Sequence, residues 1–175
     1  MGKINVLVRR VFVLLVLSVF AASNAGVLRA QNEEKPKLAL KITAQKEVKT
    51  KKDGKSVTEY AAPDNTRKGD ILLYTIEYKN DGKTEARDAS IIDPVSSGTV
   101  YILESASGKN SVISYSVDSG NIFQKPPVKI EITKKDGTKE LKPAPAERYT
   151  HIKWEFKKPI MSGQSGNVKF KAKVK

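Results

Sequence analysis

The sequence predicts an all-β fold, a sandwich or a barrel of short antiparallel strands. Nine runs of residues have strand character, and they follow one another at spacings of about 10–20 residues. Turn-forming pairs such as Asp53-Gly54 and Asp136-Gly137 end several of them. After the first 25 residues, no segment has the three- and four-residue apolar spacing of an amphipathic helix. The runs are residues 38–49, 56–61, 71–78, 86–92, 98–103, 112–117, 128–132, 151–156 and 167–174.

The run at residues 71–78 is the clearest strand. Its even-numbered residues are apolar or aromatic, namely Leu72, Tyr74, Ile76 and Tyr78. Its odd-numbered residues become polar along the chain and end in Thr75 and Glu77. Because side chains alternate between the faces of a strand, this pattern predicts a sheet packed on one side, as in a sandwich.

The first 25 residues have the organisation of a secretory signal peptide. Three basic residues precede the apolar run at residues 11–20, and small residues follow it. Ser23 and Ala25 stand where signal peptidase reads small side chains, which predicts cleavage after Ala25, with Ala30 as the alternative. A membrane anchor needs about 20 apolar residues, roughly twice this run. We therefore expect an exported protein, in the periplasm, on the cell surface or outside the cell.

The mature chain is expected to hold one domain and to carry a strong positive charge. Residues 26–37 are predicted to be a flexible lead-in, and residues 38–175 to form the β-sandwich domain. The whole chain has a net charge of +13, mostly from lysine, including four lysines that alternate through residues 169–175. Such a surface attracts polyanions such as anionic glycans or phosphate polymers. The alternative is that the lysines provide solubility and protect exposed strand edges.

No residue pattern indicates a catalytic or cofactor site. The chain has no cysteine and a single histidine, His151, whose neighbours do not form a nucleophile motif. Asp64, Asp70, Asp88 and Asp93 are possible calcium ligands, but their spacing favours turn capping. We expect a non-enzymatic protein with no cofactor and no metal, a structural or interaction module whose partner is a protein or a polyanionic envelope component. The alternative is an accessory binding protein that uses a lysine-rich face for anionic glycan or phosphate polymers. Nucleic acid is not expected, because no basic strand carries the aromatic residues on which bases stack.

Residues 68–82 suggest a family. Gly69, Asp70, residues 74–76, Asn80 and Gly82 resemble the G-D-x-x-x-Y-T-I-x-x-x-N-x-G opening of the DUF11 domain. Residues 86–94 are similar to its next segment, although Asp88 stands where asparagine is common and no Leu-Pro follows Asp93. Residues 154–170 resemble its closing W…G-x-S-G-x-V-x-F strands. The resemblance covers about residues 60–175.

The resemblance implies an immunoglobulin-like antiparallel β-sandwich of eight or nine strands in a bacterial surface or exported protein. Against that pattern, residues 126–146 form an inserted or lengthened hairpin, and residues 38–61 add a hairpin or a first strand. Gly69 is expected to relieve backbone strain at the entry to a strand, and Asn80 and Gly82 are expected to adopt left-handed turn conformations. Trp154, the single tryptophan, is expected in the core.

The signal peptide gives the first testable prediction. When the gene is expressed in a bacterial host that exports the protein, the mature chain should begin at Gly26, or at Gln31 if the alternative site is used. Intact-mass measurement and N-terminal sequencing of the exported protein check this. Recovery of a chain that retains residues 1–25 in the membrane fraction would contradict it.

Overall fold

A computed structural model describes residues 35–175; the predicted signal peptide, both cleavage sites and most of the lead-in lie outside these residues. The described chain is all-β, so the predicted fold class is confirmed. It has eleven strands and one short 3₁₀ turn at Ala146–Arg148. The strands are β1 Leu38–Lys52, β2 Lys55–Ala61, β3 Ile71–Asn80, β4 Ser90–Pro94, β5 Thr99–Tyr101, β6 Ser107–Gly108, β7 Ser111–Ser116, β8 Lys129–Thr133, β9 Lys139–Pro143, β10 His151–Phe156 and β11 Ser165–Val174.

The strands form two sheets that pack face to face and a separate hairpin. The larger sheet has the order β2-β1-β3-β11-β5, and β6 pairs with β11 beside β5. The smaller sheet has the order β4-β10-β7, and β8 pairs with β9 alone. Neighbouring strands in all three units are antiparallel. The described chain is thus an antiparallel β-sandwich.

Alternating buried side chains on β3, β10 and β11 supply most of the core. On β11, Val168, Phe170 and Ala172 are fully buried while the residues between them face outward. Trp154 of β10 is also fully buried, as predicted, and its ring lies 6.1 Å from that of Phe170. The Trp154 indole donates a hydrogen bond to the Ser107 carbonyl at 3.1 Å, which satisfies its polar atom inside the core.

The two hairpins that the sequence predicts outside the family-like pattern are both present. Strand β1 pairs with β3 over residues 38–46 and with β2 over residues 46–52. The β1–β2 hairpin therefore continues beyond Ile71, where β3 begins. The β8–β9 hairpin is attached to the core by Val128 and Ala144, whose backbones share a hydrogen bond.

Beyond shifts of one to three residues at the strand ends, the strands differ from the predicted runs in three places. Strand β9, which ends at Pro143, is not among the nine predicted runs; a proline is possible there because β9 has a neighbour on one side only. The two-residue β6 was not predicted. The run at residues 86–92 begins as a strand only at Ser90, because Asp88 has a positive φ of 50° and interrupts the extended chain.

Asn80 and Gly82 have a role other than the one predicted. Gly69 does have a positive φ of 92°, but Asn80 and Gly82 are not among the positive-φ residues. Gly82 is a glycine because a Cβ there would approach the Lys37 nitrogen to 2.5 Å. Asn80 is fully buried: its amide donates to the carbonyls of Thr84 (2.8 Å) and Ile160 (2.9 Å), and its oxygen accepts from the backbone of Gly82 and Lys37. It joins three separate segments of chain.

This cluster gives a prediction on stability. Replacing Asn80 with alanine removes the partner of four backbone groups, and each group left buried without a partner costs about 1–3 kcal/mol. We expect Asn80→Ala to lower the free energy of unfolding by at least about 2 kcal/mol in urea titrations. The exposed Asn167 makes no side-chain hydrogen bond within residues 35–175, so Asn167→Ala serves as the control. Equal stability of the two variants would contradict the conclusion that the Asn80 hydrogen bonds stabilise the fold.

Among residues 35–175, Asp93 is the one acidic residue buried between the sheets. It lies on the inner face of β4, opposite Ile152, and is 5% exposed. Burial disfavours the charged form and raises the pKa of Asp93 from 3.8 to about 7. No cationic side chain within residues 35–175 forms an ion pair with it.

Asp93 should therefore make stability depend on pH. Between about pH 4 and pH 7 the folded state binds a proton that the unfolded state has released, so stability falls as the pH rises through this window. The fall attributable to Asp93 is at most about 4 kcal/mol, at 1.36 kcal/mol per pKa unit. Urea unfolding from pH 4 to pH 8 should show a smaller fall in the free energy of unfolding for Asp93→Asn than for the parent protein. The control Asp64→Asn, at an exposed position, should show the same fall as the parent protein. An unchanged slope in Asp93→Asn would refute the prediction.

Candidate functional site

The outer face of the larger sheet concentrates positive charge. Directly paired residues of antiparallel strands share a face, so the outward side chains of β1, β3 and β11 can be read from their register. This face carries seven lysines and two glutamates. We call the seven lysines the lysine face: Lys41, Lys49, Lys51, Lys79, Lys169, Lys171 and Lys173.

Four lysines of this face have no ionic partner within residues 35–175, namely Lys49, Lys51, Lys169 and Lys173. Lys41 approaches Glu77 to 3.9 Å with both side chains largely exposed, a pair that contributes little in water. The unpaired lysines leave the face with a surplus of positive charge available to a ligand. Lys169 and Lys173 stay outside because the alternating apolar residues of β11 occupy the core.

Lys171 differs from the other lysines of this face because the carboxylate that pairs with it is nearly buried. Its ammonium lies 2.7 Å from a carboxylate oxygen of Glu47, and 5.8 Å from the centre of the Tyr60 ring. The hydrogen bond to Glu47 raises the pKa of Lys171. Lys171 thereby ties β11 to the β1–β2 hairpin across the intervening β3. It positions the hairpin, and with it Lys49 and Lys51, on the same face.

Protection of a sheet edge does not account for the lysines of β11. Strand β11 lies inside the sheet, between β3 on one side and β5 with β6 on the other. A lysine blocks edge-to-edge pairing only where a strand has an open edge. Lys169, Lys171 and Lys173 pair with residues on both sides or on the β3 side, so their charge serves a face.

The outer face of the smaller sheet is different. On β10 it carries Lys153, which pairs with Glu155 at 3.0 Å and lies 5.8 Å from the Phe123 ring. The neighbouring Ser114 and Ser116 of β7 are buried. The β8–β9 hairpin pairs part of its charge internally, as Lys139–Glu131 at 2.7 Å and Lys134–Glu140 at 3.3 Å show. Of the two sheets of the sandwich, the larger one therefore carries the surplus positive charge on its outer face.

His151 lies near a serine and an aspartate, but the three are not connected as in a catalytic triad. His151 is paired with Ser116 across the strands, and Asp118 is close enough to affect the His151 pKa. However, the Ser116 hydroxyl donates to Asp118 at 2.5 Å, and the His151 Nδ1 lies 3.2 Å from the Thr150 hydroxyl. A triad needs the histidine between the other two. Burial, the larger influence, lowers the pKa of His151, and the carboxylate of Asp118 opposes this.

The four aspartates considered as calcium ligands do not form one site. Asp70 caps a turn, accepting from the Arg67 nitrogen at 2.7 Å and pairing with Lys46 at 3.2 Å; the first of these bonds is the main reason that the pKa of Asp70 is lowered. Asp93 is buried in β4 rather than at a loop end. Within residues 35–175, no group of three or more acidic or histidine side chains could hold a metal ion.

Comparison with known proteins adds no family to this description. Residues 35–175 include no helix with the length and hydropathy that a bilayer crossing requires. No family model, no curated protein and no solved structure matches the chain. The site is therefore described by its own geometry: a sheet face with unpaired lysines on β11 and on the β1–β2 hairpin.

Proposed function

We propose that this chain is an exported, non-enzymatic interaction module of the DUF11 type, which binds a polyanionic component of the cell envelope through its lysine face. The observation that carries the proposal is the surplus of unpaired lysines on one face of the larger sheet. The predicted signal peptide supports an envelope or extracellular location, and the family-like residues 60–175 support the type of module.

The dimensions of the lysine face suit an extended anionic polymer. Alternate residues on a strand are about 6.8 Å apart, so Lys169 and Lys173 lie about 14 Å apart along β11. Lys49 and Lys51 extend the charged surface along β1 beyond Ile71, the first residue of β3. A polymer with repeated phosphate, sulfate or carboxylate groups contacts several of these lysines at once. Contacts of this kind release counterions and weaken steeply with salt.

Binding to polyphosphate or heparin tests the proposal. The triple variant Lys49→Gln, Lys51→Gln, Lys173→Gln removes three exposed, unpaired charges of the lysine face. At low ionic strength we expect it to bind at least about tenfold more weakly and to show a shallower salt dependence, because fewer counterions are released.

The matched control removes the same charge elsewhere. Lys125, Lys129 and Lys135 are exposed, unpaired within residues 35–175, and lie on or beside the β8–β9 hairpin. Their triple glutamine variant should bind within about twofold of the parent protein if the face matters more than net charge. Equal losses in the two triples would show that binding follows net charge alone, and no binding by the parent protein would reject the function.

A further inference from the structure

A cleft of about 910 Å³ opens at one end of the sandwich. Its walls come from both sheets and their loops: Tyr78 near the end of β3, the turn at residues 108–110, Phe156 at the end of β10, and the start of β11. A volume of this order is typical of small-molecule sites. The cleft is distinct from the centre of the lysine face, since Lys169 is the one lysine that belongs to both.

The charge of the cleft has one sign. Lys109, Lys158 and Lys169 line it, and its lining residues include no aspartate or glutamate. None of these three lysines takes part in an ion pair within residues 35–175. Three unpaired cations around one concave surface attract a ligand that carries a negative group.

Tyr78 brings an unused hydroxyl to the same cleft. The residue is 7% exposed, and its ring packs edge-to-face on Phe156 with centroids 4.8 Å apart. Within residues 35–175 the Tyr78 hydroxyl has no protein hydrogen-bond partner, and its oxygen is not among the fully buried polar atoms, so it is open to the cleft. Position 166 is a glycine because a Cβ there would collide with this hydroxyl. The chain therefore keeps room for the hydroxyl without giving it a partner.

Further hydrogen-bonding groups line the opening. Strand β6 pairs with β11 at Val168 and Lys169, so residues 165–167 have a strand beside them on the β3 side only. The side-chain amides of Asn110 and Asn167 are exposed and make no hydrogen bond within residues 35–175. These amides can both donate to and accept from a ligand hydroxyl.

We propose that the cleft binds an anionic sugar unit. The carboxylate or phosphate of the sugar contacts Lys109 and Lys158, and its hydroxyls bond to the Tyr78 hydroxyl and to the free amides. The apolar face of the ring packs against Phe156, which is half-buried on the cleft wall. Cation, hydroxyl partners and apolar surface together fit a charged sugar better than a bare anion or a neutral sugar. The inference stands independently of the polymer-binding lysine face.

Titration of the isotope-labelled mature protein, followed by amide chemical shifts, tests the site. The probes are digalacturonate and glucose 6-phosphate, which distinguish a carboxylate from a phosphate, with maltose and inorganic phosphate as comparisons. We expect at least one charged sugar to bind about tenfold more tightly than either comparison, because it engages both the lysines and the hydroxyl-binding groups. The shifted amides should include Gly108 and Gly166, which line the cleft.

Variants separate this site from the lysine face. Lys109→Gln with Lys158→Gln should weaken binding of the charged sugar at least about tenfold, and Tyr78→Phe, which keeps the ring, should weaken it about threefold or more without loss of the fold. The Lys49, Lys51 and Lys173 triple should bind the sugar normally. Absence of binding, equal binding of maltose or inorganic phosphate, or shifts confined to the lysine face would each overturn the proposal while leaving the polyphosphate test unaffected.

Discussion

The register of β11 is the constraint on which the rest of the structure depends. Its even-numbered residues, among them Val168, Phe170 and Ala172, fill the core, so its lysines must face outward. A shift of one residue against β3 would bury the lysines and expose the core residues. The energy of burying apolar side chains therefore fixes the position of the charges as well. Core packing and the lysine face are two consequences of the same strand pairing.

Other contacts maintain this arrangement at both ends of the sheet. At one end, Asn80 binds the entering chain, the turn after β3 and the loop at Ile160, all inside the protein. At the other end, the Lys171–Glu47 pair connects β11 to the projecting β1–β2 hairpin. The first contact shapes the end of the sandwich where the cleft opens, and the second keeps the hairpin lysines beside those of β11. Each proposed surface thus relies on a specific polar contact.

The sequence predicts the half-buried strands well, because strict alternation in β3 and β11 leaves one arrangement that buries the apolar side chains. No run of strand character predicts β9, whose residues are mainly charged, or the two-residue β6, which exists only by pairing with β11; the hairpin that contains β9 is indicated only by the departure from the family pattern. The role of Asn80 depends on residue 160, and no local pattern indicates such a distant partner. The lysines of β11 stand out in the sequence. That they share a sheet face with Lys49 and Lys51 follows from strand pairing between distant segments, which the sequence does not show.

Lysine footprinting tests the central claim most directly. The native protein is acetylated with and without polyphosphate, and the rate at each lysine is measured by mass spectrometry. The account predicts that polyphosphate protects Lys49, Lys51 and Lys173 strongly and leaves Lys125, Lys129 and Lys135 at their original rates, with Lys171 slow in both states because Glu47 holds it. Equal protection of both sets, or rapid acetylation of Lys171 in the free protein, would contradict it.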